Sequence, residues 1–173
     1  KSIDICDQIV KEDTGYLPAY LIRQEAYYEL RNGQEVVHDY HRIVEILPGY
    51  YKPYLLAAEV FFDHSQFEDA KGVLDRAKEN QVEFTAQMKL YEAKILRNLA
   101  KSDEDRKVIF KILKEAAAFP EEESDLEDFS EIEFETALLH WDNDFYPVAL
   151  AHMKKAISQN PDRLQYRLVC GHI

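Results

Sequence analysis

The chain has 173 residues, a formal net charge of −12 at pH 7 and 46% hydrophobic residues, so it is long enough for one domain with a real core. The negative charge argues against nucleic acid or an anionic membrane surface as a partner, because both present phosphate groups of the same sign. No apolar run reaches the ~18 residues that a membrane span needs, and the amphipathic stretch KSIDICDQIV lacks the pattern of a signal peptide.

Residue usage points to helices and to a reducing compartment. The chain has only 5 glycines against 11 tyrosines and 9 phenylalanines, and few glycines with many long side chains favour helix over sheet. The two cysteines, Cys6 and Cys170, lie far apart and make no disulfide framework. Two thiols in a chain of this size are typical of a cytoplasmic protein.

Ten helices and no strand are predicted in chain order, near residues 2–12, 17–31, 34–47, 51–64, 67–80, 84–99, 103–118, 129–141, 146–159 and 163–172. The fifth carries Ala70, Leu74 and Ala77 at positions i, i+4 and i+7, which form one stripe of a helix. In the fourth, Ala57 and Ala58 are small enough for a neighbouring helix to approach closely. A helix pair of this kind cannot bury its apolar stripe alone, so it must stack on the next pair.

The chain partly repeats itself when it is shifted so that Tyr20 falls on Tyr54. The same shift brings other identical residues together, namely Leu21 with Leu55, Glu25 with Glu59, Arg42 with Arg76 and Glu45 with Glu79. Similar residues fill the gaps, such as Tyr28 with Phe62. A 34-residue period built from two helical patterns is typical of the tetratricopeptide repeat, or TPR.

The best copy, YKPYLLAAEVFFDHSQFEDAKGVLDRAKEN at residues 51–80, closely resembles the TPR motif in Tyr54, the small pair Ala57 and Ala58, and Phe61. The resemblance implies an all-α fold, an α-solenoid of about ten helices in antiparallel pairs with a right-handed superhelical twist. It implies one TPR-like domain over 1–173, with half repeats at 1–14 and 163–173 and full repeats at 17–50, 51–83, 84–120 and 129–161. Because the sequence starts and stops in half repeats and lacks an initiating Met, we interpret it as a piece of a larger protein. The general resemblance to TPR sequences implies a bacterial one.

Departures from the motif carry expectations of their own. Arg23 and Gln24 replace the small pair in the first full repeat, so looser packing is expected there. The stretch AKSDED, residues 100–105, is expected to lengthen the turn inside the third pair by about four residues. In the last helix, Cys170 and Gly171 are predicted to be the small pair.

The stretch VVHDYHRIVEILPGY, residues 36–50, raises the question of a metal site, because it places His38, Asp39 and His41 close together. The inner stripe of this helix is Val36, Tyr40 and Ile43, so the two histidines are expected to face outward. A zinc site needs three or four converging ligands. We therefore predict no metal site and interpret this stretch as a solvated helix face.

The stretch PEEESDLEDFSEIEFE, residues 120–135, is the most acidic part of the chain. Calcium needs oxygen ligands on a tight turn, and the spacing of an EF-hand is absent. Two interpretations remain, an acidic linker that leads into a helix N-terminus or a docking strip for a basic partner. Residues 120–128 are predicted to be the most mobile internal segment.

No motif for catalysis is present. The sequence contains no nucleophile elbow, no phosphate-binding glycine loop and no zinc motif. We therefore predict that the chain is not an enzyme and needs no cofactor.

The resemblance also implies where a ligand would bind, because the first helices of TPR pairs line a concave groove. The candidate groove residues are Leu21, Glu25, Tyr28, Glu29, Lys52, Leu55, Glu59, Phe62, Asp63, Phe134, Leu138, Trp141 and Asp142. This set is aromatic and acidic, so it predicts a protein or peptide partner with basic and apolar residues. The alternative for the aromatic residues is that they pack inside the core.

Two functional hypotheses follow. The first is a non-catalytic binding scaffold that uses the acidic and aromatic groove. The second is a structural spacer or a self-association module, with homo-oligomers forming through open repeat ends, inside a larger and co-chaperone-like protein such as one with a J-domain. An exposed aromatic stripe favours the first hypothesis, and buried aromatic rings favour the second.

Overall fold

A computed structural model describes residues 2–120 and 129–171. Over these ranges the chain forms ten α-helices and no strand, and the helices are Ser2–Glu12 (α1), Leu17–Glu29 (α2), Gly33–Ile46 (α3), Tyr51–Asp63 (α4), Phe67–Glu79 (α5), Ala86–Leu99 (α6), Asp103–Ala116 (α7), Ser130–Trp141 (α8), Tyr146–Gln159 (α9) and Leu164–Cys170 (α10). The prediction of an all-α fold is confirmed, and every helix begins and ends within two residues of its predicted limits. None of these described helices combines the length and the apolarity that crossing a bilayer requires.

Two compact units divide the chain, residues 1–84 and residues 85–173. The first contains α1 to α5, in which each helix packs on the next and α2 also contacts α4. Connections of four residues alternate with connections of three. The α2–α3 and α4–α5 hairpins each turn at a left-handed residue, Arg31 with φ 57° and Ser65 with φ 59°, and these two positions are one repeat length apart.

Two tyrosine hydroxyls mark the repeat inside the first unit. The Tyr20 hydroxyl donates to the carbonyl oxygen of Thr14 at 3.1 Å, and the Tyr54 hydroxyl donates to that of Pro48 at 2.8 Å. The two donors are separated by one repeat length, and so are the two acceptors, so each first helix is tied in the same way to the turn before it. The alignment of Tyr20 with Tyr54 that was read from the sequence therefore matches equivalent contacts in the structure.

The position of the small pair in α2 is filled by a charged cluster. Arg23 donates from Nε and Nη2 to the two carboxylate oxygens of Asp39, at 2.9 and 2.6 Å, and from Nη1 to Asp7 at 2.6 Å. Gln24 donates to the carbonyl oxygen of Val36 at 3.2 Å. Arg23, Gln24 and Asp39 are all buried. The expected looser packing is wrong here, because polar side chains occupy the space and satisfy one another.

The second unit contains α6 to α10, and its α6–α7 turn is short. Only three residues, 100–102, connect the two helices, as in the α2–α3 turn. Ser102 and Asp105 form a capping box that starts α7, because each side chain accepts from the backbone of the other residue. The expected four-residue extension inside this turn is therefore wrong. The longer connections are instead those between α5 and α6, residues 80–85, and between α7 and α8.

The last helix closes the second unit with a tyrosine. Tyr166 is buried, stacks on Phe134 with ring centroids 4.7 Å apart, and shares a hydrogen bond with the Ser130 hydroxyl at 3.0 Å. Val169 and Cys170 pack against this core, whereas Gly171 is exposed. The predicted small pair is therefore displaced by one residue, since Tyr166 sets which side of α10 faces inward.

The acidic stretch is described only in part. Pro120 and residues 129–135 are described, while residues 121–128 lie outside the described part of the chain. The predicted mobility of residues 120–128 falls almost wholly on those residues, and it stays a prediction.

Candidate protein-binding face

The first helices of the two hairpins in the first unit lie side by side and present most of the predicted groove residues. We call this surface the α2–α4 face, and it comprises Leu21, Glu25, Tyr28, Glu29, Lys52, Leu55, Glu59, Phe62 and Asp63. Glu25, Glu29 and Asp63 are exposed, and Leu21, Tyr28, Lys52 and Phe62 are half-buried. The structure brings these nine residues onto two neighbouring helices of one unit.

Two of the predicted groove residues lie beneath the surface. Leu55 is buried, and Glu59 is only 3% exposed. The prediction has both side chains facing a ligand, and the structure corrects this, because neither is accessible at the surface. Glu59 shapes the α2–α4 face by holding Tyr28 in place.

Polar contacts tie α2 to α4 across the α2–α4 face. Lys52 Nζ lies 2.6 Å from Glu25 Oε1, and this hydrogen bond raises the pKa of Lys52. The Tyr28 hydroxyl donates to Glu59 Oε2. Burial and this hydrogen bond to a carboxylate raise the pKa of Tyr28, so its hydroxyl remains a hydrogen-bond donor even in alkaline solution.

A third contact at the end of these helices is loose. Arg31 and Asp63 are both well exposed, and their nearest charged atoms lie 3.9 Å apart. With this pair counted, the α2–α4 face and its edge expose three carboxylates, Glu25, Glu29 and Asp63, against the two cations Lys52 and Arg31. The surface is therefore net negative after its internal pairs are formed.

The aromatic rings of the α2–α4 face are neither fully buried nor fully exposed. Phe62 packs edge-on against Phe67 of α5 with centroids 5.5 Å apart, and part of its ring remains accessible. Tyr28 is also half-buried, and it borders a small cavity together with Val60. Each ring is anchored on one side and can still offer its other side to an apolar partner.

The candidate groove residues of α8 belong to the second unit, and one of them lies in its core. Phe134 is 4% exposed and belongs to the cluster around Tyr166, which corrects its predicted place in a groove. Leu138 packs partly against the same cluster, and Trp141 is half-buried at the end of α8. Asp142 is exposed and lies 3.4 Å from Arg97.

Sequence reasoning missed the residues that tie α6 to α8. Lys94 lies 2.8 Å from Glu131, and Arg97 donates from Nε to Glu135 at 3.0 Å. Burial raises the pKa of Glu135, although Arg97 and Lys94 act in the opposite direction. These partners are 37 and 38 residues apart in sequence, and the third repeat departs too far from the motif for that register to show.

The histidines of α3 do not converge on a site. His38 and His41 are exposed, as the helical pattern predicts, while Asp39 points inward to Arg23. Across residues 2–120 and 129–171, no group of three or more His, Cys, Asp or Glu side chains is placed to hold a metal ion.

Comparison with solved structures decides the fold. The TPR protein YrrB, described as having an unusual peptide-binding site, superposes over 96% of this chain and 80% of its own with a TM-score of 0.69 and 15% identity. TTC0263, a TPR protein of Thermus thermophilus, superposes over 98% of this chain and 87% of its own with a TM-score of 0.66 and 21% identity. The chain has the TPR fold.

MamA gives a similar superposition, with a TM-score of 0.73 at 12% identity over 95% of this chain and 90% of its own. No family model matches the sequence, and no curated protein matches it either. The likeness to these three proteins is therefore one of fold, at 12–21% sequence identity. Within the TPR fold, α2 and α4 are each the first helix of a helix pair. The α2–α4 face is therefore the part of the predicted groove that belongs to the first unit.

Proposed function

We propose that this chain is a non-catalytic binding module that accepts a protein or peptide segment on the α2–α4 face. The segment would carry basic and apolar residues. One observation supports this most directly, namely that the half-buried rings of Tyr28 and Phe62 lie among exposed carboxylates on two adjacent helices. The peptide-binding site of YrrB, which shares the fold, supports a peptide partner.

The apolar part of the recognition comes from rings that already have defined positions. Tyr28 is held by Glu59, and Phe62 is held by Phe67. A partner that covers such rings loses little side-chain freedom of the module, and aromatic groups contribute strongly to binding when water is excluded from them. Leu21, half-buried on α2, extends the apolar part of the surface.

The charged residues of the α2–α4 face determine which charge the bound segment should carry. Carboxylates outnumber cations on the α2–α4 face, and the whole chain carries −12, so a basic segment is attracted and an acidic segment is repelled. Lys52 is the one cation among the nine residues of the face, and it is paired with Glu25. This arrangement disfavours recognition of an acidic C-terminal tail.

A random peptide library displayed on phage tests the proposed function. The chain is immobilised, and enriched sequences are expected to carry Lys or Arg next to an apolar residue. The affinity of an enriched peptide, measured by fluorescence anisotropy, should fall about fivefold or more in Phe62→Ala, the loss expected for an interface anchor. It should fall about two- to fivefold in Glu25→Gln, and more steeply at low salt than at high salt.

The matched control is His41→Ala, because His41 is exposed on α3, outside the α2–α4 face. Glu59→Lys is avoided because that side chain is buried and would disturb folding. Circular dichroism and thermal melting confirm that each variant is folded. Enrichment of acidic peptides, or equal affinity of all three variants, would show that the α2–α4 face is not the site.

Self-association is the second candidate, favoured by one specific observation on α10. Leu164 and Leu168 are each 69% exposed and lie one turn apart on the same side of that helix. Two exposed leucines of this kind can pack against the same surface of a second copy of the chain. The chain would then act as a structural spacer that self-associates. Sedimentation equilibrium of the chain and of Leu168→Glu tests this, and a monomer at all concentrations in both would exclude it.

The cellular setting is part of the same proposal. We infer a bacterial cytoplasmic module within a larger protein, one with a J-domain being an example. Cys6 and Cys170 are both free thiols, and Cys6 is buried, which agrees with a reducing compartment.

A further inference from the structure

A cavity of about 540 Å³ opens in the second unit, where the start of α7 meets the end of α8 and the turn into α9. We call it the α7–α9 pocket, and its walls include Arg106, Lys107, Phe110, His140, Asp144 and Phe145. The volume lies within the range of ordinary ligand sites, about 300–1,000 Å³. All of the residues that line it belong to one unit.

The corresponding corner of the first unit is closed. There the start of α3 meets the end of α4, and the cavity is only about 60 Å³. Gly33 at the start of α3 comes so near to α4 that a Cβ on it would lie 2.7 Å from Val60 Cγ1. The same place in the repeat is thus packed shut in one unit and open in the other, so the α7–α9 pocket is not a general consequence of the fold.

Fixed polar contacts hold the mouth of the α7–α9 pocket. Arg106 donates from Nη1 to Asp103 and to the side-chain oxygen of Asn143, both at 2.9 Å. Asp144 has a left-handed backbone with φ 62° and accepts a hydrogen bond from the Tyr146 hydroxyl at 2.7 Å. The α8–α9 turn is therefore positioned before any ligand arrives.

Aromatic groups form the floor and one wall. The rings of Phe110 and His140 pack edge-on with centroids 4.6 Å apart, and the Phe145 ring lies 6.3 Å from His140. Phe145 is 60% exposed, which is unusual for a phenylalanine in a turn that is otherwise well ordered by hydrogen bonds. An exposed ring beside a carboxylate is an arrangement that attracts a cation over the ring face.

The charges of the α7–α9 pocket leave one carboxylate without a cation. Lys107 pairs with Glu104 at 2.9 Å, and the exposed Asp142 lies 3.4 Å from Arg97. Asp144 accepts only from a neutral hydroxyl and has no ion pair within the described part of the chain. The pocket therefore favours a positively charged group, and the −12 charge of the chain acts in the same direction.

We propose that the α7–α9 pocket binds an arginine or lysine side chain of a protein partner, held between the Phe145 ring and the Asp144 carboxylate. The rings of Phe110 and His140, packed edge-on, offer a surface against which the methylene stem of the side chain packs. The planar guanidinium of arginine fits this better than an ammonium, because it stacks on a ring and donates to a carboxylate together. This site is separate from the α2–α4 face, and its existence does not depend on the function proposed for that face.

The test uses N-acetyl-arginine amide as a probe, titrated into the ¹⁵N-labelled chain and followed by NMR. N-acetyl-citrulline amide is the neutral probe of nearly the same shape. We expect saturable shifts of the amides around Phe110 and from His140 to Tyr146 with the arginine probe and none with the citrulline probe. A capped Gly-Leu-Arg-Leu-Gly peptide should bind several-fold more tightly, because its leucines cover more of the apolar wall.

Two variants locate the contacts. Asp144→Asn removes the charge but keeps a residue that tolerates a left-handed backbone, and Phe145→Ala removes the exposed ring. Each should weaken the arginine probe about two- to fivefold. The matched controls are Asp162→Asn and Val108→Ala, which change an exposed acid and an exposed apolar residue of the same unit that do not line the pocket.

Several results would overturn this inference. They are absence of saturable shifts, equal binding of the citrulline probe, and equal losses in the variants and their controls. Preferential binding of N-acetyl-aspartate amide would also overturn it, since the site would then prefer anions. If the peptide bound no more tightly than N-acetyl-arginine amide, a protein partner would be excluded.

Discussion

Arg23 and Asp39 form a bidentate ion pair in the interior of the first unit, with donor–acceptor distances of 2.6 and 2.9 Å. The pair joins α2 to α3, and Asp7 on α1 extends it to a third helix. The hydrogen bond to Asp39 raises the pKa of Arg23 most, with a further contribution from Asp7, so the guanidinium stays charged in its buried position. Three consecutive helices are thus connected through one side chain.

Arg23→Met should destabilise the first unit by about 3–5 kcal/mol, because it leaves the buried carboxylate of Asp39 without its partner. The measurement is urea denaturation followed by circular dichroism. Lys71→Met is the control, since Lys71 forms a half-exposed pair with Asp75 and should cost no more than about 1 kcal/mol. The double variant Arg23→Met with Asp39→Leu should regain much of the lost stability. If Arg23→Met and the control Lys71→Met lowered the free energy of unfolding equally, the argument would be contradicted.

Gly33→Ala should destabilise the chain by about 1–3 kcal/mol, because the new methyl group would lie 2.7 Å from a carbon of Val60. Gly72→Ala is the matched control, because nothing lies within 4 Å of a Cβ there. That substitution should stabilise α5 by about 0.5–1 kcal/mol, the usual difference between alanine and glycine inside a helix. Thermal melting that ranks the two variants in the opposite order would refute the close approach of α3 and α4.

Ala58→Leu tests the packing of the best-matched repeat. Ala58 is fully buried at the centre of α4, so a larger side chain forces neighbouring helices apart at about 1–3 kcal/mol. Ala151→Leu on the exposed side of α9 should change stability by no more than about 0.5 kcal/mol. Equal melting temperatures of Ala58→Leu and the parent chain would show that the helices do not meet at this residue.

His140→Phe should make stability less sensitive to acid. Burial lowers the pKa of His140 below its usual value, and the neighbouring His152 lowers it further. The folded state therefore takes up the proton less readily than the unfolded chain, so stability is lost as pH falls through the unfolded pKa toward the lower folded one. Urea denaturation between about pH 7.5 and pH 5.5 should show a smaller loss in His140→Phe than in the parent. An identical loss in both would contradict this.

The fold could be predicted because its main determinants are periodic. Small or apolar residues recur along α4 and α5 at helical spacing, and Tyr20 and Tyr54 stand one repeat apart and make equivalent hydrogen bonds. Helix limits follow from the same pattern and agree closely with the structure. The periodicity also predicts Tyr28 and Phe62 on adjacent first helices, where the structure has them.

The buried charged residues could not be predicted, because their ion pairs do not recur at the repeat spacing. Arg23 and Asp39 occupy positions at which the motif expects small or exposed residues, so the sequence suggested a gap and a solvated face. Burial of Glu59 was missed because its alignment with Glu25 indicated similar exposure, whereas only Glu25 lies at the surface. The α7–α9 pocket depends on the conformation of a turn centred on Asp144, which periodicity does not describe.

The contact between Lys52 and Glu25 has a consequence for regulation. In the binding mode proposed above, Lys52 would compete with the partner, since an incoming cation has to displace it from Glu25 before it can occupy the same place. The apparent affinity of the α2–α4 face is then reduced by the fraction of molecules in which this internal pair is closed. Neutralising the Lys52 charge, for example by acetylation, would remove this internal competition for Glu25. Binding would then become stronger without any new contact to the partner.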